Sequence, residues 1–158
     1  MDIKFPYQTI LIVCSVNTAR SRMAEGFLRD FFAKLNLDTK VNSGGISSNA
    51  RDGMTISMDA KLVMKDVGIK LSDTALSTDL KKHYDYVKEA DLILTLTTKH
   101  KEEIQAFFNI DSKDILTIKE FAGESGDIED PSMKEELFRK VRDEIINNLM
   151  KGLNKYVF

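Results

Sequence analysis

The sequence predicts a three-layer α/β fold, a four-stranded parallel sheet with helices on both faces. Three observations predict it. Short apolar, β-branched runs alternate with longer segments of helical period along the chain, the pattern of a parallel sheet built from crossover units. The short runs are continuously apolar, as in Thr9-Ile10-Leu11-Ile12-Val13, which marks strands buried on both faces. Gly and Pro are sparse and fall between the periodic segments, where they punctuate rather than interrupt.

Thr9–Val13 reads as the first strand. Ser21–Leu35 then changes period: Ala24, Leu28, Phe31 and Leu35 recur on one helical face. A second strand is expected around Thr39–Ser43, before Gly44-Gly45. A helix is expected over Ile56–Val67, ending at Gly68, a residue suited to a left-handed cap. Asp79–Lys88 is expected to be helical, Leu92–Leu96 a buried strand, Thr98–Phe107 a helix and Ile115–Ile118 a short strand. The last helix is expected over Ser132–Leu149, with Leu137, Val141, Ile145 and Leu149 as its core stripe. Right-handed crossovers leave few arrangements for four strands. The first strand should lie in the middle, with ligands beyond the strand C-termini at the switch point of the sheet.

The 158 residues suit one domain, residues 1–158. An apolar fraction of 42% and a charged fraction of 30% belong to an ordinary globular protein. A net charge of −2 argues against a nucleic-acid binder. No apolar run reaches the ~20 residues of a membrane span, and Met1-Asp2-Ile3-Lys4 lacks the marks of a signal peptide. A lone cysteine forms no internal disulfide, which points to the reducing cytoplasm.

That cysteine, Cys14, ends the first strand. By itself it could be a small buried hydrophobe. Its surroundings point elsewhere. Cys14-Ser15-Val16-Asn17-Thr18-Ala19-Arg20-Ser21 is a strand end, a turn and a helix start. Such a turn aims successive backbone N–H groups at one point, and the helix N-terminus adds partial positive charge. Together they form a cup for a tetrahedral oxyanion. Arg20 offers a planar fork to two phosphate oxygens. These groups favour a thiolate at the base of the cup. Ser21 is placed to donate to the sulfur, to cap the helix, or to do both. Asn17 suits the turn because Asn tolerates left-handed backbone. An acid for the leaving group is sought next. His83 and His100 fall in polar helical stretches and read as solvated surface residues. Asp130 lies before Pro131, which biases it out of helical backbone; it could serve as the acid or simply begin the last helix.

Cys14-x5-Arg20-Ser21, followed by Met23-Ala24-Glu25-Gly26 and, far downstream, Asp130-Pro131, resembles the low-molecular-weight protein tyrosine phosphatases. Ser43-Gly44-Gly45, Ala90–Thr97 and Lys119-Glu120-Phe121 match in the same order, so the likeness covers nearly the whole chain. The resemblance implies a flavodoxin-like fold and phosphomonoester hydrolysis in two steps. Cys14 attacks and becomes phosphocysteine, Arg20 binds the phosphoryl group, and Asp130 protonates the leaving group and then activates water. The loop Ser15, Val16, Asn17, Thr18, Ala19, Arg20 and Ser21 would bind phosphate, with Asn17, Ser21 and Ser43 supporting it. No metal or cofactor is implied. The implied partners are phosphorylated proteins or small aryl phosphates, with phosphate or another oxyanion in the loop.

This chain departs from that pattern in several places. Val16 stands where the family usually has Gly, Ala19 where many members have a second cysteine, and Arg22 where Pro is common. Ser132-Met133 follow Asp130-Pro131, where aromatic residues often flank a phosphotyrosine ring. Thr18 matches a subfamily resembling protein-arginine phosphatases. Three other readings stand beside it: an arsenate reductase, which shares this scaffold and would use an external small thiol; a phosphocysteine carrier, a different class that resembles the loop but needs neither Arg20 nor Asp130; and a silent oxyanion-binding regulator. A thioredoxin-coupled reductase needs further cysteines that the chain lacks.

Overall fold

The computed structural model describes residues 4–131 and 134–157. Its four strands are β1 (Thr9–Cys14), β2 (Lys40–Gly45), β3 (Leu92–Thr95) and β4 (Asp114–Thr117). They pair in parallel in the order β2-β1-β3-β4. β1 therefore lies inside the sheet, as its uninterrupted apolar run predicts. The helices are α1 (Arg20–Lys34), α2 (Met58–Lys65), α3 (Tyr84–Glu89), α4 (Thr98–Phe107), α5 (Ile118–Phe121) and α6 (Glu135–Val157).

Successive β1 side chains point to opposite faces, and the core divides accordingly. Ile10, Ile12 and Cys14 pack with buried residues of α1, α2, α5 and α6. Leu11 and Val13 pack with Val87 of α3 and Ile104 of α4. These are the three layers expected from the alternation of strands and helices. Cys14 thus faces the layer that holds α1, the helix entered directly from its own loop.

Several boundaries differ from expectation, each for a local reason. β2 runs on through Gly44-Gly45, because both glycines pair with the end of β1. α2 begins only at Met58, after Ser57, whose hydroxyl accepts from the Ala60 N–H; Gly68 takes φ 80° just beyond the helix, the left-handed exit expected of it. The segment 79–88 is split: Asp79 caps a 3-10 turn at Leu80–Lys82 before α3 starts. Ile118 opens a helix instead of ending a strand, because Thr117 and Glu120 form a reciprocal capping box. In α6 the buried stripe is Phe138, Val141, Ile145, Leu149 and Leu153. Phe138 thus takes the place expected of Leu137, and the helix extends past Leu149. The expected start of that helix at Ser132 lies outside the described residues, as does Met133.

Candidate active site

β1 delivers Cys14, buried, to the C-terminal edge of the sheet. The chain must then reverse into α1 within five residues. Asn17 makes that possible by taking φ 65°, in the left-handed region. Val16 carries none of that strain: Asn17 and Asn36 are the non-glycine residues with positive φ among the described residues. A valine in place of the family's usual glycine is therefore accommodated. The close approach is supplied from β2, where a Cβ on Gly45 would lie 2.6 Å from the Ser15 carbonyl oxygen. Ile46 N–H and Ser47 N–H donate to the carbonyls of Cys14 and Ser15 at 3.0 and 3.1 Å, and the Ser57 N–H donates to Thr18 at 2.9 Å. Ala19, with no polar side chain, precedes α1, whose first turn contains no acidic residue. The positive end of α1 is thus left to the loop.

Polar contacts beneath the loop fix which way each hydrogen points. The Thr78 N–H donates to Asn17 Oδ1 at 2.9 Å, which orients the amide. Asn17 Nδ2 then donates to Ser21 Oγ at 2.7 Å and to Ser43 Oγ at 2.9 Å. Ser21, accepting from Asn17, has its own hydrogen for Cys14 Sγ, 2.9 Å away. The Asn17 backbone N–H also donates to Sγ, at 3.2 Å. Two hydrogen-bond donors thus converge on one sulfur. Ser21 is accordingly the sulfur's partner and not the helix cap.

Arg20 is buried, and its Nη1 donates to the Ile128 carbonyl at 2.8 Å. Its Nη2 lies 4.0 Å from Asp130 Oδ2, whose side chain is half exposed. One guanidinium therefore ties the phosphate loop to the segment carrying the distant carboxylate. That segment is anchored again by the Ile128 N–H, which donates to Leu96 O at 2.9 Å. Asp127 Oδ1 accepts from the Thr98 N–H and hydroxyl, at 2.8 and 3.0 Å. Asp127 thus faces the start of α4, and Asp130 faces the loop arginine. The cysteine sulfur and the loop are thus linked through Arg20 to the Asp130 carboxylate, an arrangement whose chemistry would be nucleophilic attack on phosphorus.

His100 corrects the sequence reading. It is buried, not solvated, and its Nε2 lies 2.8 Å from Ser15 Oγ. The reason is visible in α4: His100 and Ile104, four apart, form the buried face of an otherwise polar helix. Burial first, then the Arg20 guanidinium, pushes His100 down from 6.5 to about 4, against the opposing pull of Asp127 and Asp130. The ring is neutral at physiological pH. His83 is half-buried and bonds Asp52 at 2.8 Å. The Asp79 backbone N–H, with His83 second, holds the Asp52 carboxyl below its ordinary range. Gly45, Glu25 and Thr78 also support the loop and were not singled out from sequence for that role. Of these, only Gly45 and Glu25 lie in stretches that mark the resemblance.

A strand-end cysteine under an oxyanion loop, with an arginine opening the next helix, defines the class of cysteine-based phosphatases. The family model described as low molecular weight phosphotyrosine protein phosphatase matches residues 9–157. The chain belongs to that family, and it is a cysteine-dependent phosphomonoester hydrolase that acts through a phosphocysteine intermediate. It is 36% identical over 142 residues to a protein-arginine-phosphatase of Geobacillus stearothermophilus, covering 89% of each chain. A low molecular weight protein tyrosine phosphatase from T. tengcongensis superposes with TM-score 0.84 at 33% identity, over 94% of this chain and 99% of that one. A YwlE arginine phosphatase mutant with a phosphorylated active site serine superposes with TM-score 0.83 at 27% identity, over 93% and 94%. These relatives favour phosphate hydrolysis over arsenate reduction, phosphoryl carriage or silent oxyanion binding.

Proposed function

We propose that the chain is a cytoplasmic protein phosphatase, folded as one domain, with Cys14 as nucleophile, Arg20 as phosphoryl clamp, Asp130 as acid and then base, and phosphoarginine proteins as substrates. The carrying observation is the pair of hydrogen bonds that Ser21 and Asn17 direct at Cys14 Sγ, immediately before Arg20. In the first step the sulfur–phosphorus bond forms and the bond from phosphorus to the leaving nitrogen or oxygen breaks. Asp130 gives its proton to that leaving atom. Water then attacks phosphorus, Asp130 takes its proton, and phosphate departs with the thiolate restored. Backbone N–H groups from Ser15 to Ser21 hold the phosphoryl oxygens. Ser21 stabilises the sulfur both as nucleophile and as leaving group.

Thr18 supports phosphoarginine, as do relatives called protein-arginine-phosphatase in Geobacillus stearothermophilus and Bacillus subtilis. The lone cysteine suits a reducing compartment. Among the described residues no helix is long and apolar enough to cross a membrane. The test is a panel of phosphoarginine, phosphotyrosine and phosphoserine peptides beside an aryl phosphate, with chelator present. Cys14→Ser should abolish turnover while phosphate binding persists. Full activity in that variant, or a need for added metal, overturns the mechanism. A preference for phosphotyrosine overturns the substrate assignment alone.

A further inference from the structure

We propose that Glu25 is a positioning residue for the nucleophile, setting the direction of the hydrogen bond that Cys14 receives. The proposal rests on Cys14 being the reacting sulfur. Glu25 lies on α1, one turn beyond Ser21, and is buried. Its Oε1 accepts from Ser43 Oγ at 2.8 Å and from Arg22 Nη1 at 2.9 Å. Its Oε2 lies 2.7 Å from Arg29 Nη2. Arg29 is itself held, with Nε and Nη2 both donating to the Val41 carbonyl. Two guanidinium groups thus hold a largely buried carboxylate in place.

A carboxylate has no hydrogen to give, so Ser43 must donate to it. Ser43 can then only accept from Asn17, which requires Asn17 Nδ2 to face Ser43. The same Nδ2 faces Ser21, so Ser21 also accepts, and its single hydrogen goes to Cys14 Sγ. Were the Asn17 amide reversed, its oxygen would draw the Ser21 hydrogen away from the sulfur. The Thr78 N–H opposes that reversal from one side. Glu25, acting through Ser43, opposes it from the other. A charge on the helix beside the site therefore helps to set the state of a hydroxyl that touches the nucleophile. Such chains behave as units, and coupled substitutions reveal them.

The experiment measures the rate at which iodoacetamide alkylates Cys14 at about pH 6, together with turnover of an aryl phosphate. Variants are Glu25→Gln, Ser21→Ala and the double substitution, each with its melting temperature. Ser21→Ala should slow alkylation about tenfold, the size of one hydrogen bond to a charged group. Glu25→Gln should slow it at least threefold, and the double variant should be no slower than Ser21→Ala, because both remove one bond. Losses that multiply, or a Glu25→Gln protein that melts lower but alkylates at the wild-type rate, overturn the proposal. If Glu25→Gln fails to fold, Ser43→Ala breaks the same chain and must show the same coupling to Ser21. A wild type without phosphatase activity would defeat the proposed function, and the alkylation result would still stand or fall by itself.

Discussion

Replacing His100 with Gln should change how stability depends on pH, and in a direction fixed by burial. The native ring titrates at about 4, against 6.5 for the exposed side chain. Between those values the unfolded chain holds a proton that the native state refuses. Stability therefore rises with pH there. It is complete above the unfolded value and is lost as pH falls towards about 4. The whole gap corresponds to ~3 kcal/mol, and going from about pH 7 to about pH 5 realises ~2 kcal/mol of it. Gln keeps an amide able to meet Ser15 Oγ but has no proton to take up. Urea unfolding of both proteins at the two pH values isolates this one group, because every other titrating side chain is common to both. The wild type should lose ~2 kcal/mol more than His100→Gln. Parallel pH profiles would refute the reasoning, and would mean that His100 accepts its proton in the native state as readily as in the unfolded chain.

Three further outcomes are expected. Asp130→Asn should slow hydrolysis of a substrate with a poor leaving group by about 10²- to 10⁴-fold and matter far less for a good one, whereas Asp127→Asn keeps the acceptor oxygen that caps Thr98 and should cost little; equal losses on both substrates would remove Asp130 as the acid. Gly45→Ala would drive a methyl group into the Ser15 carbonyl and the Val16 backbone, costing about 1–3 kcal/mol of stability and weakening phosphate inhibition, and an unaltered inhibition constant would show that the loop tolerates the push. Peroxide should inactivate the enzyme and carry Cys14 towards sulfinic acid, since no second thiol can trap the sulfenic acid; bound phosphate should slow the loss and Ala19→Cys should make it reversible by thiols, as read by intact mass and recovered activity.

What the sequence made legible was what depends on period and on short-range order. The strand at Thr9–Val13, the helix face at Ala24 and Leu28, and the strand end that presents Cys14 follow from side-chain spacing, because each element buries one face or both. Asp130 stands out because a proline follows it, and its reading as the acid comes from the resemblance. His100 was misread because α4 is so polar that two buried positions, His100 and Ile104, leave almost no periodic trace. Ile118–Phe121 was missed because a four-residue helix has no period at all, and only the Thr117–Glu120 capping pair announces it. Thr78 escaped because its contribution is a backbone N–H, which no side chain advertises.

The loop shows why one unusual residue can be absorbed. A turn from β1 into α1 needs one left-handed residue, and Gly is the ordinary source of that freedom. Here Asn17 takes the left-handed position, so Val16 needs only ordinary backbone. The same Asn17 has its amide oxygen on Thr78, its amide hydrogens on Ser21 and Ser43, and its backbone N–H on Cys14 Sγ. Conformation and wiring therefore rest on one residue. Replacing Val16 with Gly loosens the unfolded chain without relieving any strain in the native loop. Replacing Asn17 with Gly would satisfy the turn and still strip the sulfur of its oriented hydroxyl. The loop keeps its shape through Asn17's backbone and keeps its chemistry through Asn17's amide.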